Sequence, residues 1–170
     1  MMTTFEVWAP NHDRVRLRAL GNDHEMSPIG DGHWRVTLPG AGPGTDYGFL
    51  LGDDETPVPD PRSRWQPDGV HGLSRLYDTQ AYEWGDAAWT GRQLAGSVVY
   101  ELHVGTFTPE GTFAAATDRL DHLGQLGVDL VEVLPVNAVN GTHNWGYDGV
   151  GWYAVHEPYG GPDGFRAFVD

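Results

Sequence analysis

Asn144-Trp145-Gly146-Tyr147-Asp148-Gly149 crowds two aromatic rings, a carboxylate and two glycines into six residues. A sugar carries C–H bonds on its face and hydroxyls round its edge. Flat aromatic rings flanked by short polar groups therefore bind it well. Trp145 and Tyr147 supply the rings and Asp148 the polar neighbour. A second reading stays open, in which a Trp and a Tyr merely close a loop over the core. His71 could ligate a metal, but no second ligand stands at a fitting spacing, so it reads as structural and no metal or cofactor is expected.

The elements that must position this stretch lie just before it. Residues 97–104 read as a strand. Thr112 suits a helix N-cap; Phe113, Ala116, Leu120, Leu123 and Leu126 recur at helical spacing, and Gly127 ends the pattern. Residues 128–136 follow at once as a strand with apolar residues on both faces. Strand, helix and strand with a short turn predict a parallel pair joined by a right-handed crossover. Ligand groups gather beyond the C-terminal ends of such strands, which is where Trp145, Tyr147 and Asp148 fall. Glu101 and His103 share one face of the first strand and stand either at a site or as polar residues inside a barrel. Pro162 suits a first helical turn, and Phe165, Phe168 and Val169 begin an amphipathic pattern. Two parallel strands cannot close a barrel, so the sequence is expected to end within a domain.

The first fifty residues have a different period. Residues 14–20 alternate charged and apolar side chains, as a half-buried strand does. Trp34, Val36 and Leu38 repeat the pattern, and Phe5, Val7 and residues 47–51 supply further strands. Turn residues separate them at 30–32 and 39–44. This spacing predicts an antiparallel β-sandwich, with Trp8 and Trp34 in its core rather than as a binding platform. In residues 53–94, Pro57, Pro59 and Pro61 forbid a regular central strand. Trp65, Trp84 and Trp89 make this an ordered connection rather than a flexible linker. The sequence thus divides into residues 1–90, a sandwich with its connecting segment, and residues 91–170.

Composition narrows the function. The 170 residues carry a formal charge of −14, and all ten basic residues are Arg. Residues after Ala95 hold two Arg and ten carboxylates, a balance of −8. Such a surface repels phosphate backbones, so no nucleic acid is expected as a partner. No cysteine is present, which excludes disulfides, thiolate metal sites and cysteine nucleophiles. No apolar run is long enough to span a bilayer and no signal-peptide pattern opens the chain, so a cytoplasmic protein without a membrane partner is expected.

Several stretches carry a resemblance. Residues 100–113, Tyr-Glu-Leu-His-Val-Gly-Thr-Phe-Thr-Pro-Glu-Gly-Thr-Phe, resemble the first barrel strand of the α-amylase superfamily, glycoside hydrolase family 13. Leu134-Pro135-Val136 with residues 144–149 is similar to its second strand and following loop, and Tyr159-Gly160-Gly161-Pro162 to the start of its second helix. Val7-Trp8-Ala9-Pro10 and its strands resemble the immunoglobulin-like β-sandwich, of carbohydrate-binding-module type, that precedes the barrel in branching and debranching enzymes. Residues 60–72 most favour the members that release trehalose from malto-oligosyltrehalose, while residues 137–143 depart from the expected loop.

The resemblance implies a retaining glycosidase acting on malto-oligosyltrehalose or a related α-glucan. Its fold would be a β-sandwich followed by the start of an α/β TIM barrel, a (β/α)8 catalytic domain cut after about two strands. Such chemistry needs a carboxylate nucleophile and a carboxylic acid roughly 5 Å apart. In the family these lie on later strands, so no catalytic residue is assigned here. The remaining barrel polypeptide is needed, and the chain alone is expected to be inactive. Tyr147 resembles the family's aromatic platform under the sugar, Asp148 its polar neighbour and Trp145 part of the wall. A glycogen branching enzyme and a non-catalytic carbohydrate-binding module stand as alternatives.

Overall fold

The computed structural model describes residues 2–170. The first part consists of β1 (Met2–Trp8), β2 (Val15–Ala19), β3 (Asn22–Glu25), β4 (Ser27–Gly30), β5 (His33–Pro39), β6 (Asp46–Leu51) and β7 (Ser74–Arg75). They form two antiparallel sheets, ordered β1-β5-β4 and β3-β2-β6-β7. Successive strand residues face opposite ways. Phe5, Val7, Trp34 and Leu38 therefore share the inner face of one sheet. Val15, Leu17, Ala19, Tyr47 and Phe49 share that of the other, and all nine join a single core. Burying a Leu17 or Phe49 side chain stabilises such a core by roughly 1.5–3 kcal/mol. The Tyr47 hydroxyl is buried with the ring and donates to Asp60 Oδ2 at 2.7 Å; burial first, and then the Asp60 charge, pushes its pKa far up.

Two expectations for this part need correction. Trp34 is in the core at 9% exposure, but Trp8 is 62% exposed. The parity that turns Phe5 and Val7 inward turns Trp8 outward. Arg16 was expected on a solvent face and is buried instead. Residues 53–55 fold over it, and its Nη2 donates to Asp54 O and Glu55 Oε1, both at 3.0 Å. Its aliphatic stem is covered while its head reaches acceptors at the edge.

The proline-rich stretch makes no regular strand, yet it is pinned to β6. Phe49 and Val58 exchange both backbone hydrogen bonds at 2.8 Å, and β7 pairs with β6 at residues the sequence did not mark. Of the three tryptophans expected to anchor it, only Trp65 is half-buried; Trp84 and Trp89 are exposed.

The second part opens with β8 (Val99–Leu102), followed by α1 (Val104–Phe107), α2 (Phe113–Thr117), α3 (Leu120–Gln125) and β9 (Leu130–Val133). β8 and β9 are parallel, as expected, but shorter than the apolar runs: α1 begins at Val104, and Pro135 brings no donor to the ladder. The single helix expected from Thr112 to Gly127 is two. Thr112 does cap α2, its Oγ1 accepting from Ala115 N at 3.3 Å. Thr117 then turns its hydroxyl back onto Phe113 O at 3.0 Å, a bond that bends helices, and Arg119 leaves helical geometry at φ −107, ψ −1.

Beyond β9 come β10 (Asn137–Ala138) and β11 (Gly151–Val155), an antiparallel pair, a 3-10 turn (Glu157–Tyr159) and α4 (Gly161–Val169). Leu102, Val104, Phe113, Leu123 and Tyr159 form a second core, packed by Val131, Val133, Phe165 and Phe168. The helices thus cover one face of the β8–β9 pair. The other face is open, with Glu101 and Glu132 exposed side by side in register. Residues 65–86 clasp the end of the chain. Trp65 Nε1 donates to Glu157 Oε2 at 2.9 Å, Tyr77 Oη to Asp163 Oδ1 at 2.6 Å, Arg166 Nη1 to Thr79 O at 3.0 Å, and Gly85 N to Asp170 Oδ1 at 2.7 Å. Burial, then the bond to Asp163, pushes the Tyr77 pKa up to about 12. Among the described residues no helix is long and apolar enough to cross a membrane.

Candidate functional site

The Trp145–Tyr147 stretch lies beyond the C-terminal ends of β8 and β9 and beside a cleft of about 330 Å³. Trp145, Tyr147 and Leu134 give it apolar walls, and His103, Thr106 and the backbone of residues 142–144 give it polar ones. Trp145 is 70% and Tyr147 81% exposed, so neither ring closes over the core. The reading of these aromatics as core lids is overturned. Asp148 is also exposed, but it does not line the cleft.

Local chemistry explains how the rings come to stand free. Asn144 is 4% exposed in an otherwise open loop. Its Oδ1 accepts from Gly146 N at 2.7 Å, an Asx turn, and its Nδ2 donates to Asn137 O at 2.8 Å. Gly146 then takes φ +81, where other L-residues are strained, and the chain reverses between the two rings. At Gly149 a Cβ would overlap the Asn137 side-chain amide, so a larger residue there would require Asn137 to turn away.

His103 is the one titratable side chain that lines the cleft from the first strand. It caps α1, half-buried, instead of continuing β8. Its Nε2 faces Asn144 O at 2.7 Å, and a carbonyl only accepts, so Nε2 carries the proton. Nδ1 then accepts from Thr106 Oγ1 at 3.0 Å. Glu101, its neighbour in the sequence pattern, is on the open face of the pair and does not reach the cleft lining. No Asp or Glu lines the cleft. It can hold a ring against Trp145 and Tyr147 and offer hydrogen bonds at its edge, His103 and His143 among them, but its lining holds no pair of carboxylates.

A second cleft, of about 470 Å³, lies across the loop at Thr142, between residues 66–71 and 138–142. No Trp, Tyr or Phe lines it, so it lacks a stacking surface. His71 lines it, exposed. His156, 2% exposed, also borders it; burial lowers its pKa and keeps the ring neutral, against the opposing bond to Thr142 O. Next to it the Glu157 carboxyl is raised, because desolvation outweighs the Trp65 hydrogen bond and the Arg75 charge. Among the described residues no group of three or more His, Asp or Glu stands close enough to hold a metal ion.

The sequence singled out Trp145 and Tyr147 as candidate sugar-binding aromatics, and both rings are exposed beside the cleft. It did not single out Asn144 and Tyr159. Asn before a glycine two residues on is an Asx-turn signal that could have identified the first; nothing local marks Tyr159, whose hydroxyl arrives from the far side of β11.

Comparison with known proteins agrees with this geometry. A malto-oligosyltrehalose trehalohydrolase from Rhizobium sp. (strain M-11) is 56% identical over 98% of this chain, which covers 29% of that protein. One from Arthrobacter ramosus is 55% identical over the whole chain, covering 30% of its length. A 1,4-alpha-glucan branching enzyme from Leifsonia xyli subsp. xyli is 32% identical over 99% of the chain and 25% of its own length. A crystal structure from Salmonella typhimurium, of a protein designated a candidate alpha amylase, superposes with a TM-score of 0.94 at 46% identity, covering 99% of this chain and 29% of that one. A pullulanase from Bacillus acidopullulyticus shares the fold, with a TM-score of 0.76 at 23% identity over 93% of this chain and 24% of its own. No protein-family profile matches the chain. The chain spans about 30% of the length of the curated relatives it matches first. Over that span it is homologous to malto-oligosyltrehalose trehalohydrolases, and its structural neighbours are α-amylase-family enzymes.

Proposed function

We propose, starting from kinship with the malto-oligosyltrehalose trehalohydrolases of the α-amylase family, that this chain is the N-terminal part of a retaining glycosidase. It would cleave the α-1,4 bond next to the terminal trehalosyl unit of a malto-oligosyltrehalose and release trehalose. The observation that carries this reading is the aromatic-walled cleft beyond a parallel strand pair, in a chain 55–56% identical to relatives named for that activity.

In this reading residues 1–90 are an immunoglobulin-like β-sandwich with its connecting segment, and residues 91–170 begin a (β/α)8 barrel. The open face of β8 and β9 supports the second assignment. It leaves Val99 exposed and two carboxylates in register, a face that further strands would enclose. Tyr147 stacks under the sugar whose anomeric carbon reacts, and Trp145 walls the same subsite. Asp148 is the polar neighbour of these rings in the sequence, though it stands outside the cleft lining here. The resemblance implies that the nucleophile and acid lie on later strands of the barrel, and the cleft lining described here holds no carboxylate.

A branching enzyme is the second reading, supported by the 32% identity that runs over nearly the whole chain. Product analysis separates them. The complete enzyme incubated with malto-oligosyltrehalose is expected to yield free trehalose and a shortened malto-oligosaccharide. New α-1,6 linkages from a linear glucan, without trehalose, would establish the branching enzyme instead. Glucan binding with neither product would leave only a binding module.

A further inference from the structure

The two aromatic side chains of the cleft hang on a single carbonyl. Asn144 O accepts from His103 Nε2 at 2.7 Å and from Tyr159 Oη at 3.0 Å. His103 stands at the start of α1, just after β8, and Tyr159 in the 3-10 turn before α4. Trp145 and Tyr147 follow Asn144 by one and three residues and are themselves held by no core.

Each donor is locked from behind. The Asn144 carbonyl, which only accepts, fixes the His103 tautomer that donates from Nε2, and Thr106 Oγ1 stands 3.0 Å from Nδ1 on the other side of the ring. Tyr159 is 4% exposed, and its ring meets Phe113 edge-on at 6.0 Å and His156 at 4.8 Å. Gly105 has room only for hydrogen, since a Cβ there would come within 2.8 Å of Tyr159 Oη. A backbone carbonyl satisfied by two donors holds its peptide plane, and the plane sets where the next side chain leaves the chain.

We propose that His103 and Tyr159 are positioning residues that hold the Asn144 carbonyl and thereby aim the Trp145–Tyr147 wall at the substrate. Neither touches the reacting atoms. The kinetic half of this inference rests on the glycosidase reading above; the spectroscopic half does not. Misplacing a stacking wall weakens every substrate contact it makes, and losing the geometry set by one hydrogen bond costs up to about tenfold in binding.

The test uses the complete protein that contains this chain, with Tyr159→Phe, His103→Leu and His103→Gln. Gln can place an amide N–H where Nε2 stands. Acrylamide quenching is measured for each variant with and without Trp145→Phe, so that the difference reports Trp145 alone. Tyr159→Phe and His103→Leu are expected to raise the Trp145 quenching constant and to lower kcat/KM on malto-oligosyltrehalose by about tenfold, while His103→Gln restores both. If His103→Leu does not fold, Tyr159→Phe, which removes one oxygen, decides the matter. Unchanged Trp145 quenching in folded Tyr159→Phe overturns the proposal, as does failure of His103→Gln to recover a loss seen in His103→Leu. Altered quenching in a protein whose unsubstituted form releases no trehalose would leave the positioning role standing and overturn the glycosidase reading.

Discussion

Tyr147 carries the sharpest test at the residue scale. Its ring is 81% exposed, so replacing it removes little folded-state packing. Tyr147→Ala is expected to shift stability by less than about 0.5 kcal/mol, as at an exposed site. In the complete enzyme the same change should lose roughly 2–4 kcal/mol of transition-state binding. The reacting sugar gains positive charge, and an aromatic face attracts that charge more than it does the neutral ground state. Melting temperature and kcat/KM on one preparation check both halves, and normal turnover by Tyr147→Ala would end the platform role. Glu157 gives a pH test. Its carboxyl is raised by desolvation, so the folded state binds more protons than the unfolded one between the ordinary carboxylate value and the raised one. Stability therefore falls as pH rises through that acid window, and Glu157 ionises at a cost at neutral pH. Glu157→Gln keeps an acceptor for Trp65 Nε1 and removes the charge. It is expected to melt higher at pH 7 and to show a flatter profile across the window, read by thermal melts at several pH values. A lower melting temperature at every pH would show that the charge is needed by Arg75.

Between elements, the contrast is between the first core and the β8–β9 pair. β2 and β6 are central strands of a sheet sealed by a second sheet, and their partners Val15, Leu17 and Leu50 are fully buried. β8 and β9 are two strands covered on one face, with Val99 and Glu132 open on the other. A two-stranded unit is marginal without further partners. Amide exchange in this chain is expected to be slow across residues 15–19 and 46–51 and much faster across 130–133. Equal protection of the two regions would contradict it. The two carboxylates in register add to the weakness, because like charges on neighbouring strands repel. The Glu132→Gln variant should raise protection of 130–133 in the chain, by an amount that shrinks in high salt.

At the scale of the whole molecule, the aromatic-walled cleft has no carboxylate in its lining among the described residues. General acid and nucleophile need two carboxylates across the scissile bond, and the lining of the cleft contains none. The purified 170-residue chain is expected to release no trehalose from malto-oligosyltrehalose. Release above buffer would place a catalytic carboxylate within it. The clasp of residues 65–86 on the 3-10 turn and α4 gives the two parts a fixed relation. Tyr77→Phe removes the bond to Asp163 while keeping the ring against Trp65 and Arg166. It is expected to cost about 1–2 kcal/mol, a charge-assisted bond discounted for exposure, and to speed proteolysis within residues 84–94 more than within 15–51.

Local pattern alone determined much of this protein. Alternation of two placed Phe5, Val7, Val15, Leu17, Trp34 and Leu38 inside, because a strand's side chains can face only two ways. The strand–helix–strand order required a parallel pair, since a short turn after a helix admits little else, and β8 and β9 are parallel. The composition of residues 144–149 marked a stretch of two aromatics and a carboxylate but left open whether the rings stood free or closed over the core. What local pattern could not carry was set by contacts distant in sequence. Arg16 is buried because residues 53–55, nearly forty positions on, supply its acceptors. Trp84 meets only the edge-on ring of its near neighbour Tyr82 and stays exposed, as does Trp89, although their types suggested packing into a core. The helix at 112–127 broke because Thr117 found a backbone partner in its own turn. Asn144 became the pivot of the cleft only when His103 and Tyr159 converged on its carbonyl from forty-one residues before and fifteen after. Hydrogen-bond partners of this kind leave no periodic trace in a sequence, so the site's residues were legible there but its geometry was decided by the tertiary fold.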